Sequence, residues 1–361
     1  MKKKLLIFPF AYCNREIVMY RKYMEEYTLV AAVVQNKAEL DQVIEKSKKF
    51  ENILITEKFE DALSICDAVL FLESDNMSIS ASIYKNYIRK AECSGKEVLF
   101  SNKCLKSLDV SVVMESILYQ KGDSDRFQLP ENTYIKYIDI PVIGVMGLGN
   151  FCNKFCTEIE ISSFFRGKGY RVIHFGSKDF NGVIGEKRYP AFLFNQGYSV
   201  TQRILQWNQY LFELCEREKP DLLILGMPGA IMPLNNKILN EFGEIPFIIS
   251  NGIRIDVGVL CSYFYEKVDQ KYLSEYKNYC KYKLNCDVKW ICVSNSSCRF
   301  NPDSEESVLE YLHYEPEIAD KMVVEAGSGE KINLFNVLNE SKREEMLQQL
   351  YNELTENVSA F

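Results

Sequence analysis

The stretch Ile143-Gly144-Val145-Met146-Gly147-Leu148-Gly149-Asn150-Phe151-Cys152-Asn153-Lys154-Phe155-Cys156-Thr157 leads from an apolar, strand-like run through a glycine-bearing turn into a helix-like one. Glycines at such a turn let the backbone approach an anion, the following amides point at it, and the helix N-terminus adds partial positive charge. Gly147, Gly149 and Asn153 frame the turn, and Lys154 at its mouth would complete an anion site. Outward from it the pattern alternates: strands at 142–146, 170–175, 221–225, 247–250 and 288–293, helices at 154–166, 201–218 and 270–283. Apolar runs alternating with helices predict a parallel sheet covered on both faces.

The first 120 residues alternate in the same way, with strands predicted at 5–10, 28–34, 52–56, 68–72 and 97–100. Between the last two, 78–91 places Ile79, Ile83, Tyr84, Tyr87 and Ile88 on one helical face and Lys85, Arg89 and Lys90 opposite. Residues 121–140 turn polar and carry the Pro130-Glu131-Asn132 turn signal. The fold class expected is therefore α/β, with two Rossmann-like domains and mostly parallel sheets. The first covers 1–125, a linker 126–140, the second domain 141–335 and a C-terminal helix 336–361. Capping boxes are predicted at Asp303-Ser304-Glu305-Glu306, before Val308, Leu309 and Leu312, and at Ser341-Lys342-Arg343-Glu344, before Met346, Leu347, Leu350 and Leu354.

Composition narrows the function classes. At 361 residues the chain suits two domains of roughly 150 residues each. Its 43 basic and 50 acidic side chains give a net charge of -7, without the basic footprint that nucleic acid requires. The N-terminal apolar stretch at 5–10 is short for a signal peptide, and no run of about 18 apolar residues follows. A cytoplasmic protein that does not enter the membrane is expected. Its twelve cysteines are then reduced and mainly serve as small core residues, as around Cys66 and Cys261.

The loop resembles a P-loop, specifically the variant of dethiobiotin synthetase and its MinD-like relatives, in which the first glycine lies seven residues before the lysine, as Gly147 does before Lys154. A Walker A motif ends Gly-Lys-Ser/Thr, whose hydroxyl binds Mg²⁺. Here Asn153 and Phe155 flank the lysine, phenylalanine cannot bind a metal, and Thr157 is nearly a helical turn on. The strand at 221–225 has its acid, Asp221, at the wrong end for a Walker B motif. The resemblance implies a degenerate P-loop NTPase-like fold that takes a nucleotide, ATP or another, or a different phosphate ligand. It adds Lys178, just past the second strand, and Gly226 and Gly229, in the loop after the strand at 221–225, to the binding residues. A purely structural turn stays open, as does a surface role for Lys178.

Several segments together are similar to the peptide maturation system proteins of clostridial clusters that modify ribosomally made, bacteriocin-like peptides. They are 144–149, 153–155, Gly169-Tyr170-Arg171-Val172, Phe175-Gly176-Ser177-Lys178 and Tyr189-Pro190-Ala191-Phe192. The resemblance implies an accessory role in post-translational maturation, with the precursor peptide and its modifying radical enzyme as partners. Two alternatives remain: an ATP-dependent ligase or kinase-like enzyme acting on the peptide, with acids outside the loop holding Mg²⁺, and a docking scaffold without a ligand.

Cys152 and Cys156 flank Lys154 near a helix N-terminus, where a thiolate is favoured, and are candidate reactive thiols or core residues. Cys280, Cys286, Cys292 and Cys298 recur every six residues without a Cys-x-x-Cys element, so no metal site is assigned. His174 and His313 are the two histidines, too few for a His-rich centre; the first ends a strand and the second is placed at a helix C-terminus. Tyr272, Tyr276, Tyr279 and Tyr282 share a helical face, either core or a surface for an apolar peptide.

Overall fold

Strands whose side chains are apolar on both sides dominate the computed structural model, which describes residues 2–11, 14–36, 52–73, 79–101, 104, 133–265, 270–300, 309–320 and 333–358. The chain divides into two units, 1–126 with 179–188, and 127–178 with 189–361. Both are α/β.

The first unit runs β1 (Lys3–Phe8), α1 (Arg15–Met19), β2 (Tyr27–Val33), β3 (Leu54–Thr56), α2 (Phe59–Leu63), β4 (Ala68–Phe71), α3 (Ala81–Cys93) and β5 (Glu97–Phe100). Its sheet is parallel throughout, in the order β3-β2-β1-β4-β5 of a Rossmann half. Every residue of β4 is buried, which explains why it reads as an unbroken apolar run. Phe8, Phe59, Phe71 and Phe100 fill one face of the sheet, and Tyr87 stacks on Phe59 at 4.0 Å. On α3, Tyr84 and Ile88 turn inward as expected, whereas Ile83 is exposed. In the segment 179–188, the Glu186 carboxylate accepts hydrogen bonds from the amides of Phe180 (3.2 Å), Gly182 (3.0 Å) and Ile184 (3.1 Å). Burial nevertheless pushes its pKa up to about 7.

The second unit continues β6 (Val142–Gly147), α4 (Lys154–Gly167), β7 (Val172–Phe175), α5 (Val200–Glu218), β8 (Leu222–Gly226), α6 (Glu244–Asn251), β9 (Ile255–Ser262), α7 (Gln270–Lys283), β10 (Cys286–Val293), β11 (Ser296–Phe300), β12 (Leu309–His313), β13 (Asn333–Phe335) and α8 (Glu340–Val358). Six strands form a parallel sheet in the order β13-β10-β9-β6-β8-β7, and β11 and β12 make an antiparallel hairpin. The chain leaves β6 for the outer strand β7, returns to β8, and then crosses to β9 on the other flank of β6. Strand order thus reverses at β6, the position where open α/β sheets bind ligands at their carboxyl ends. A capping box between Ser199 and Gln202 starts α5, and Trp207 of that helix is fully buried, donating to the Ile249 carbonyl at 3.2 Å.

Three local expectations are corrected, and one of two open alternatives is removed. The predicted strand at 247–250 is part of α6, because a short apolar run fits a buried helix as well as a strand. Pro246, in the first turn of α6, breaks no intrahelical hydrogen bond. The strand that follows, β9, was hidden by Asp256, whose carboxylate accepts from the Val142 amide at 2.9 Å. Leu309 and Leu312 belong to β12, not to a helix: the pleat turns Leu312 outward, and His313 ends a strand rather than facing a helix dipole. The capping box at 303–306, with Val308, lies outside the described residues. Helix α8 begins at Glu340, before the expected Ser341 cap, and Asn339 caps it by accepting from the Lys342 amide at 3.1 Å. On α7, Leu273 and Cys280 are buried while Tyr272 and Tyr282 are exposed, so the four tyrosines are not a core face.

Candidate functional site

At the carboxyl end of β6 the backbone is clamped between its neighbours. Leu148 N donates to the Cys261 carbonyl at 3.1 Å, Ile231 N to the Gly147 carbonyl at 3.0 Å, and Met227 N to the Val145 carbonyl at 2.8 Å. A side chain at Gly147 would not fit, since its Cβ would lie 2.6 Å from Cys152 Sγ and 2.8 Å from the Lys154 methylenes. The loop then passes Gly149, whose carbonyl accepts from the Cys152 thiol at 3.0 Å, and enters α4 at Asn153.

Asn153 has φ 63°, the left-handed region. Among residues with a Cβ, asparagine bears that conformation best, so it replaces the Walker glycine in backbone shape. Its Nδ2 donates to Asn295 Oδ1 at 3.3 Å, and Asn295 Nδ2 donates to the Tyr314 carbonyl at 2.9 Å. Phe151 packs on Tyr311 of β12 with ring centroids 4.6 Å apart. Lys154, nearly buried, turns back over Gly147 and donates from Nζ to the Gly229 carbonyl. The structure therefore brings Gly147, Gly149, Asn153, Lys154 and Gly229 to one place. Lys178, partly buried, lies three residues past β7.

Neither standard magnesium ligand is present. Phe155 is buried, and the Thr157 hydroxyl donates to the Asn153 carbonyl at 2.9 Å. Asp221 precedes β8 and pairs with Arg171 at 2.7 Å, which holds its carboxyl down at about 2.

An acid that sequence reading did not single out lies behind the loop. Glu158, one helical turn past Lys154 on α4, is fully buried. Its Oε2 accepts from the Ser177 amide at 2.9 Å and from His174 Nε2 at 3.2 Å, while Oε1 and His174 Nδ1 have no hydrogen-bond partner. A Cβ on Gly226 would fall inside the van der Waals surface of the Glu158 carboxyl carbon and both its oxygens. Gly226 thus serves as the cradle of that carboxylate. Tyr189 is also buried, and burial followed by the charge of Glu158 lifts its hydroxyl well above the ordinary value. The signal available in the sequence was the four-residue spacing of Lys154 and Glu158, which puts both on one helical face.

Cys152 and Cys156 are both buried, and burial raises the Cys152 thiol against the pull of Lys154. Cys261 stands opposite Cys292 in the β9–β10 register, and burial pushes Cys261 well up. Cys280, Cys286 and Cys298 lie on α7, β10 and β11. Among the described residues no three histidine, cysteine or acidic side chains are grouped to hold a metal ion, and no helix is long and apolar enough to cross a membrane.

No family model and no curated protein sequence matches the chain. Among solved structures, it is similar to a DUF1611 family protein from Anabaena variabilis, at 11% identity and a TM-score of 0.61 over 96% of this chain and 100% of that one. A scyllo-inositol dehydrogenase from Lactobacillus casei, with bound NAD(H) and scyllo-inositol, matches at 16% identity over 46% and 49% of the two chains. A pseudomurein peptide ligase type C from Methanothermus fervidus matches at 14% identity over 81% and 44%. Both of these superpose with a TM-score of 0.26, too low to carry an argument. The likeness to the DUF1611 protein is one of fold.

Proposed function

We propose that the second unit binds the phosphate end of a nucleotide at the loop from Gly147 to Lys154, and that the protein acts as an accessory in the maturation of a ribosomally made, bacteriocin-like peptide. One observation carries the phosphate half: a left-handed Asn153 opens α4, and Lys154 lies over Gly147 with its ammonium on the Gly229 carbonyl. A neutral carbonyl is a weaker partner for an ammonium than a phosphate oxygen, whose hydrogen bond is charge-assisted. An arriving phosphate draws Lys154 from Gly229 and meets the α4 N-terminus. The peptide half rests on the likeness of the segments 144–149, 153–155, 169–172, 175–178 and 189–192 to peptide maturation proteins. In that role the precursor peptide and its radical enzyme are the partners.

Calorimetric titration of the full chain with ATP, ADP and inorganic phosphate tests the first half, repeated with the precursor peptide and radical enzyme present. Saturable binding that Lys154→Ala weakens by about tenfold or more is expected, equivalent to about 1.4 kcal/mol. A wild-type protein that takes up none of these ligands under either condition overturns it. A second reading, a ligase or kinase-like enzyme, is favoured by the buried acid Glu158 outside the loop. Its mark would be ADP release stimulated by the precursor peptide.

A further inference from the structure

P-loop proteins hold their magnesium ion partly with an acid on the strand beside the loop strand. In this sheet that strand is β8, and its last residue, paired in register with Val145 of β6, is Gly226. Gly226 has no side chain to offer, yet the space is not apolar: the Glu158 carboxylate enters it from α4. One oxygen, Oε2, is held by the Ser177 amide and His174 Nε2, which fixes the direction of the other. That other oxygen, Oε1, is buried without a hydrogen-bond partner. A bare carboxylate oxygen inside a protein is costly and calls for a missing partner, such as a water or an ion. Lys154, four residues earlier on the same helix, puts the phosphate-binding group one turn away.

We infer that Glu158 is the protein ligand of a divalent cation that accompanies the phosphate ligand, taking from α4 the place of the acid missing at Gly226. The inference rests on the phosphate-binding reading above. A single carboxylate is sufficient, because Mg²⁺ commonly keeps several waters and binds through one or two carboxylates plus substrate phosphates. His174 is then a positioning residue, holding Oε2 so that Oε1 faces the cation. A side chain at 226 and the Glu158 carboxylate as it stands exclude one another.

The test uses the full-length chain with Mn²⁺ as the spin probe and ATP as the phosphate probe. Wild type is expected to take up Mn²⁺ at least about tenfold more tightly with ATP than without it. Glu158→Gln should keep metal-free ATP binding and lose that enhancement. The double variant Glu158→Ala/Gly226→Asp, which moves the acid to the strand end, should recover it. ATP binding with an unchanged Mn²⁺ enhancement in Glu158→Gln overturns the inference and leaves the phosphate reading standing. Absence of ATP binding by wild type removes both. If neither variant folds, wild type decides: bound Mn²⁺ should broaden the Ser177 amide and His174 ring signals before others. Sharp signals from both residues with Mn²⁺–ATP bound overturn the assignment.

Discussion

The carboxylate of Glu158 occupies the space that a side chain at Gly226 would need. The two residues are 68 positions apart in sequence, on α4 and β8, and each explains the other. Gly226→Ala should force the carboxylate off the Ser177 amide and His174, and cost about 2–3 kcal/mol by overpacking and a lost buried hydrogen bond. Glu158→Ala/Gly226→Ala should be less destabilised than the sum of the single variants. Urea denaturation of the four proteins of this cycle measures the coupling, and strict additivity would contradict it.

Asn153 holds a backbone shape that most side chains resist. Asn153→Ala should cost on the order of 1–2 kcal/mol, from left-handed strain and the lost hydrogen bond to Asn295. Asn153→Gly relieves the strain and keeps only the second loss, so it should be the milder change. The same denaturation experiment ranks them; an alanine variant as stable as the glycine variant would remove the conformational argument.

Glu186 supplies a pH dependence with a definite sign. Its folded pKa, about 7, exceeds the 4.5 of an ordinary glutamate, so the folded chain binds more protons between those values. Stability should therefore fall as pH rises through that window, by a contribution on the order of 3 kcal/mol at most. Comparing melting curves of wild type and Glu186→Gln across pH 4.5 to 7.5 isolates it. The variant should show a flatter profile, and equal slopes would assign the dependence elsewhere.

Most strands of the first unit, and β6, β7, β8 and β10 of the second, were legible because continuous apolar runs such as 68–71 and 142–147 are the direct imprint of sheets buried on both faces, whereas β9 was not. Where a run was short the imprint was ambiguous, and 247–250 became helix while Leu309 and Leu312 became strand. The loop residues Gly147, Gly149, Asn153 and Lys154 were legible because turn, amides and lysine are contiguous in sequence. Glu158 was not, since a glutamate four residues into a helix reads as a solvated charge until its neighbours are known.

Local periodicity and backbone preference are enough to specify two α/β units and a lysine-bearing turn between strand and helix. Only packing between distant elements sets Lys154 on the Gly229 carbonyl, buries the cysteines beside it, and puts the Glu158 carboxylate of α4 in the space beside Gly226 of β8. Those facts depend on which residues of distant strands and helices share one volume, and exclusion from a shared volume leaves no periodic trace along a chain.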